Sequence, residues 1–397
     1  MKPLYLDYHA TTPVDPRVLA AMLPYFTERF GNAASRQHAW GWEARDAVDL
    51  ARSQVAALIN ASAGEITFTS GASESNNLAL KGVVAAARRG LGADALARAA
   101  NHVVTTAIEH KSVLDVCKAF ASDGLEVTVV GVTSGGVVDL DELRRAVRPG
   151  TLVVSVMAAN NEVGTIQPLA EIASIAHAQG ALFHTDAAQA AGKIPLDVAA
   201  ADVDLLSLTA HKFYGPKGSG AIFVRRRKPK IQLPAQIAGG GQENGLRSGT
   251  LNVPGVVGLG AAAEICRTEM AEEGARLGAL RDSLLEGLRA RLGGGVHVNG
   301  TMTNRLPHNL HVSFDGVEGE ALLMALSDLA VSTGSACASG SQAVSHVMEA
   351  IGATGDRGRA SIRFGLGRSN NAEDIAFAID RVVAAVSALR ARVGSSA

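Results

Sequence analysis

Apolar residues recur along the 397-residue chain in two alternating rhythms. The first is the short, nearly continuous apolar run, as in EITFTS, HVVTTAIEH, LEVTVVGV, TLVVSVMAAN, ALFHTD, VDLLSLTA and AIFV. Runs of that length predict strands buried on both faces. The second is helical spacing. Val48, Ala51, Val55 and Leu58 return on one face of a helix predicted over 43–60, and further helices are predicted over 78–99, 112–122, 141–147 and in PLAEIASIAHAQG. Strand and helix taken in turn predict a mostly parallel sheet sandwiched by helices. Ahead of it, Pro13 and Pro16 keep 4–15 extended, and a short helix is predicted over 16–26.

The rhythm changes after AIFV. Residues 237–250, IAGGGQENGLRSGT, are too long and glycine-rich for a mere connector, and predict either a flexible lid or a loop reaching a neighbouring subunit. A long helix over 254–291, with Cys266 as buried filler, carries the domain change near 260–265. Beyond it VHVNG, NLHVSF, a helix over 318–329, SIRFGLG and a helix over 371–393 predict a smaller α+β layer. The expected division is therefore a large domain over 16–262 and a small one built from 1–15 and 263–397.

In a parallel sheet, ligands sit beyond the carboxyl ends of the strands. Ser73, His110, Asn161, Asp186 and Lys212 all fall just past predicted strand ends. Lys212 follows VDLLSLTA and precedes a glycine-rich turn; in an apolar crevice its ammonium would lose hydration, and the neutral amine could attack a carbonyl as a Schiff-base lysine. Strand, glycine turn and helix in TSGASESNN would present free backbone N–H groups to an anion, although ordinary helix capping would use the same residues. Asp186, 26 residues before Lys212, could point into the same crevice. Cys337 lies among small residues in GSACASG, which predicts an exposed thiol on a mobile loop rather than a core cysteine. Both tryptophans, Trp40 and Trp42, fall in a polar loop, as hydrophobic anchors or as the lining of a cleft. A Schiff-base lysine, a strand-end carboxylate, a phosphate cradle and an aromatic platform are together what pyridoxal 5'-phosphate needs.

Composition narrows the classes. Lys+Arg 37 against Asp+Glu 38 leaves a net charge of -1, so nothing asks for nucleic acid or an anionic membrane, and RRRK at 225–228 reads as a solvated turn. Three dispersed cysteines form neither a disulfide framework nor a metal site, and the opening MKPLYLDYHATTPVDP does not look like a signal peptide. No apolar stretch reaches the roughly 18 residues of a membrane span. A cytoplasmic protein is expected.

From LDYHATTPVDP to SIRFGLGR the chain resembles the cysteine desulfurases of the NifS and IscS type, class-V aminotransferase relatives among the fold-type-I pyridoxal phosphate enzymes. The motifs are TSGASESNN, EHKSVLD, NNEVGTIQP, HTDAAQAAGKIP, AHKFYGPKG, RSGTLNVP and GSACASG. The resemblance implies a homodimer that converts L-cysteine to L-alanine and passes the sulfur as a persulfide to an acceptor or iron–sulfur scaffold protein. It implies that Lys212 carries the cofactor, His110 stacks on its ring and assists as acid or base, Asp186 meets the pyridine nitrogen, and Gln189 and Asn161 lie near the ring hydroxyl. Ser73, Thr209 and His211 become phosphate ligands, with Thr250 reaching the phosphate of the other subunit. Arg363, with Asn161, takes the substrate carboxylate. Cys337 becomes the sulfur acceptor and a possible transient iron–sulfur ligand, with no resident metal. A selenocysteine lyase or class-V aminotransferase is the alternative within the fold, and a non-catalytic scaffold the alternative outside enzymology. Four departures stand out: Ser73 replaces a threonine, Thr209-Ala210 a Ser-Gly pair, GNAAS a GNPSS-like turn, and SQAVSHV an EPSHV-like sequence.

Overall fold

A computed structural model of the chain describes residues 2–91, 101–227, 230–333 and 344–394. In order they form β1 (Leu4–Tyr5), α1 (Pro16–Met22), α2 (Pro24–Thr27), α3 (Ala39–Leu58), β2 (Ile66–Thr69), α4 (Ala72–Arg89), β3 (His102–Thr106), α5 (Lys111–Ser122), β4 (Glu126–Val130), α6 (Leu140–Ala146), β5 (Thr151–Ser155), α7 (Leu169–Ala178), β6 (Leu182–Asp186), β7 (Leu205–Thr209) and β8 (Gly220–Val224). The remainder is α8 (Val253–Leu292), β9 (Val296–Val298), β10 (Asn309–Phe314), α9 (Gly319–Ala325), β11 (Leu329–Ala330), α10 (His346–Ala350), α11 (Gly355–Arg359), β12 (Ser361–Gly365) and α12 (Ala372–Gly394).

Seven strands make one sheet in the order β2-β8-β7-β6-β5-β3-β4. Only β8 runs against its neighbours β7 and β2. The carboxyl ends of β2, β3, β5, β6 and β7 consequently open on one side. The apolar runs are there because helices bury both faces of this sheet: Val103, Val104, Val153, Val154, Leu205 and Leu206 are all buried, alternating between two separate cores. A second, antiparallel sheet, β12-β10-β9, packs with α12 and the distal part of α8 in a core of its own. Along α8 the buried side chains pass from the first core at Cys266 to this one at Leu277. The chain start joins the second core: Leu6 is buried in it, and β1 pairs in parallel with β11. The architecture is that of a fold-type-I enzyme, a large α/β unit with a mixed sheet and a smaller companion.

Several expectations need correction. The helix expected over 16–26 is two helices, because Pro24 opens a new one. The helix expected from 43 starts at Ala39, capped by His38, so Trp40 and Trp42 stand in its first turn, about half exposed. They are not among the residues that line the cavity at the strand ends: Trp40 packs on Phe30, and Trp42 Nε1 donates to the carbonyl of Arg36 at 2.8 Å. The stretch from Ala72 to Arg89 is a single helix ended by Gly90 in the left-handed conformation, and 92–99 lie outside the described residues. The strand carrying HVVTTAIEH stops at Thr106, and His110 caps α5 instead of ending the strand. Residues 237–250 are not a freely swinging lid. Glu243, buried within them, accepts from Arg52 and from the Phe68 backbone N–H at 2.7 Å, which fastens the segment to β2.

Candidate active site

The strand ends enclose a cavity of about 610 Å³. Its lining includes Ser73, His110, Asn161, Asp186, Gln189, Thr209, His211, Lys212 and Arg363. These are all but two of the residues singled out from the sequence. The exceptions are Thr250, which lies exposed outside the lining, and Cys337, which lies outside the described residues.

Lys212 sits on the short turn that follows β7, and its Nζ donates to the backbone carbonyls of His9 and, at 2.9 Å, Ala10. Asp186 is the last residue of β6 and is buried. Its Oδ1 accepts from the Ala188 N–H at 2.9 Å and its Oδ2 from Asn76 Nδ2 at 2.7 Å. These two donors fix the carboxylate plane. His110 Nδ1 accepts from the Ser112 backbone N–H at 3.1 Å and has the Ser112 hydroxyl at 2.8 Å. Because Nδ1 accepts the Ser112 N–H it holds no proton of its own, so the hydroxyl donates to it and a neutral His110 carries its proton on Nε2. Burial pushes His110 below the usual histidine range, with Lys212 and His346 adding to it and Asp186 opposing.

At the opposite end of the cavity, α4 begins with Gly71 at φ +151°, and the N–H groups of its first turn have no carbonyl inside the helix to receive them. Thr209 Oγ1 stands across from Gly71: a Cβ there would lie 3.5 Å from it. A Cβ on Gly220 would come within 2.6 Å of the Gly71 Cα, so β8 and this turn touch backbone to backbone, and only glycine fits. Ser73, Thr209, His211, Lys217 and Gly218 line the same cavity. Burial, with Lys212 and Lys217 adding to it, brings His211 down to about 4, which leaves it neutral near pH 7. A helix N-terminus with hydroxyls and a lysine is a site for a dianionic phosphate.

Arg363 comes from β12 and is buried. Its Nη1 donates to the Asn161 carbonyl at 2.8 Å and its Nη2 to Asp7 Oδ1 at 2.7 Å. The two domains therefore meet at this guanidinium.

Sequence reasoning overlooked the residues that hold these groups: His9, Asp7, Asn76, Ser112, Glu109 and His346. His346 lines the cavity, and its Nε2 donates to the Glu109 carbonyl at 3.0 Å. All stand inside stretches already conspicuous in the sequence, LDYHATTP, TSGASESNN, EHKSVLD and, for His346, SQAVSHV. Among the described residues no group of three or more His, Cys, Asp and Glu side chains is placed to hold a metal ion, and no helix is long and apolar enough to cross a membrane.

Comparison with known proteins agrees with this geometry. The family model described as aminotransferase class-V matches residues 4–377. A cysteine desulfurase IscS of Anaeromyxobacter sp. (strain Fw109-5) is 54% identical over 388 residues, 98% of this chain and 93% of that protein. The solved structure of a NifS-like protein superposes with a TM-score of 0.87 at 38% identity, covering 97% of this chain and 99% of the other. The structure titled SspA in complex with cysteine matches with a TM-score of 0.75 at 34% identity, over 91% and 98% of the two chains. With a lysine, a carboxylate and a histidine around one cavity and likeness of this extent, the chain belongs to the class-V aminotransferase family and, within it, to the NifS- and IscS-like cysteine desulfurases.

Proposed function

We propose that the chain is a pyridoxal 5'-phosphate-dependent cysteine desulfurase that converts L-cysteine to L-alanine and takes the sulfur onto Cys337. The observation that carries this reading is the convergence of Lys212, Asp186 and His110 on one cavity whose far end is a helix N-terminus. The donor set fits the cofactor. Ser73, Thr209, His211 and the first turn of α4 would hold its phosphate, Asp186 its pyridine nitrogen, Gln189 its ring hydroxyl, His110 the face of its ring, and Lys212 its carbonyl carbon. When bound, pyridoxal phosphate supplies an electron-withdrawing ring that stabilises negative charge at the substrate α-carbon.

The chain's own residues do the rest. Asp186, its plane fixed by Asn76 and Ala188, would hold the pyridine nitrogen and favour its protonated form. Arg363, aided by Asn161, binds the substrate carboxylate and so aims the α-hydrogen. Lys212 Nζ moves that proton. His110 would assist as a local acid or base. The Cys337 thiolate would attack the substrate sulfur; the S–S bond forms as the C–S bond breaks, the electron pair of the C–S bond stays with the substrate carbon fragment, and that fragment takes up a proton at its β-carbon to leave as alanine.

In the same reading the active protein is a homodimer in which Thr250, exposed in the single chain, reaches the phosphate of the second subunit. It divides into a large domain over 16–262 and a small one over 1–15 and 263–397, and hands its sulfur to an acceptor or iron–sulfur scaffold protein. The test is alanine and sulfide production by the purified protein supplied with L-cysteine and pyridoxal phosphate. Stoichiometric alanine, abolished in Lys212→Ala, is expected; transamination to a keto acid instead, or no reaction, would refute it.

A further inference from the structure

His9 lines the cavity and is almost fully buried, its ring stacked on His308 with centroids 4.3 Å apart. Both its nitrogens are engaged. Nδ1 is 2.9 Å from Gln189 Oε1, and Nε2 is 2.9 Å from Asn309 Nδ2. The two ends of this network determine the direction of each of these bonds.

At one end stands Arg305, whose guanidinium can only donate; its Nη1 meets Asn309 Oδ1 at 2.8 Å. The amide nitrogen of Asn309 must therefore be the atom that faces His9, and it donates also to the Glu162 carbonyl at 2.9 Å. His9 Nε2 must accept. At the other end stands the backbone carbonyl of His9, which can only accept, and Gln189 Nε2 donates to it at 3.0 Å. Gln189 Oε1 consequently faces His9 Nδ1, which must donate. Starting from either end gives the same direction. Burial holds His9 well below the usual histidine range, and Arg363, Lys212 and Lys193 disfavour a second proton further, while the bond to Gln189 opposes them only in part.

We propose that His9 is a positioning residue: as the neutral Nδ1–H tautomer it links Arg305 and Asn309 to Gln189 in a one-way hydrogen-bond chain that locks the Gln189 carboxamide with its second N–H toward the cavity. An amide nitrogen has two hydrogens, and the His9 carbonyl takes one. The other is the donor that a ring oxygen of the cofactor meets. The same His9 carbonyl accepts from Lys212 Nζ, so one residue sets both the lysine and the glutamine. This role rests on the assignment of the cavity to pyridoxal phosphate.

Two measurements on the holoenzyme test it. With 15N-labelled histidine, the two-bond 1H–15N spectrum should show one histidine, absent from His9→Asn, that is protonated on Nδ1 and does not titrate between about pH 6 and 8. An Nε2–H form, or ordinary titration, would overturn the chain. The pH midpoint of the bound cofactor's visible absorption provides the second readout, since a donor to the ring oxygen favours the deprotonated chromophore. His9→Leu should raise that midpoint by roughly 0.5–1 unit, the shift carried by one weakened hydrogen bond, and His9→Asn, whose Nδ2 can replace Nδ1–H, should restore it. An intact band with an unmoved midpoint in His9→Leu would overturn the positioning role alone. Absence of any visible band from the unsubstituted protein would sink the cofactor assignment, and the role with it.

Discussion

Asn76 donates through a single amide nitrogen both to Asp186 Oδ2, at 2.7 Å, and to Ser112 Oγ, at 2.8 Å. One side chain of α4 thereby fixes the strand-end carboxylate of β6 and, through Ser112, the ring of His110. Asn76→Ala should leave a folded protein in which Asp186 keeps only the Ala188 N–H. Loss of one charge-assisted hydrogen bond predicts that the half-saturating concentration of pyridoxal phosphate rises by about 10-fold. Titration of apo-protein, followed by the visible band, checks this.

Arg363 spends one arm of its guanidinium on Asp7 and another on the Asn161 carbonyl, so the group is held before any substrate arrives. A lysine at 363 keeps the charge but not the planar fork. Arg363→Lys is expected to raise KM for L-cysteine by about 10- to 100-fold with a smaller change in kcat, the signature of lost carboxylate binding. Steady-state kinetics with the cofactor saturating separates the two.

Glu109, beside His110, is fully buried, with Oε1 accepting from Thr106 Oγ1 and the Met157 N–H, each at 2.8 Å. Burial pushes its carboxyl up to about 8 from an ordinary 4.5. Between those values the native protein holds a proton that the unfolded chain releases, so this group's contribution to stability falls as pH rises through the window. Glu109→Gln keeps the acceptor and removes the titration. The variant should match its parent near pH 4 and exceed it by about 2–4 kcal/mol at pH 8. Denaturant unfolding at the two pH values decides; a variant less stable at pH 8 would contradict the buried neutral carboxyl.

The sheet and most of the cavity were legible in the sequence because both depend on local pattern. Buried parallel strands announce themselves as apolar runs, and a charged residue just past such a run has only the cavity to enter. Asp186 and Lys212 could be found that way. What escaped is set by long-range pairing. His9 meets Asn309 from 300 residues away, and Arg363 meets Asp7 from 356 away, with no periodicity to announce either contact. Trp40 misled for a different reason. Its polar surroundings read as loop, whereas the capping of His38 on the Gly41 N–H begins a helix there.

In the proposed reaction the substrate's sulfur moves to Cys337 while Lys212 handles the carbon skeleton. The most direct test is to react the holoenzyme with a stoichiometric amount of L-cysteine, without reductant, and to weigh the peptide that contains Cys337. A gain of one sulfur atom on that peptide, matched by one alanine released, is expected, with Cys117 and Cys266, both buried, left unmodified. Alanine released with no added sulfur on Cys337, or full persulfide formation in Cys337→Ser, would contradict it.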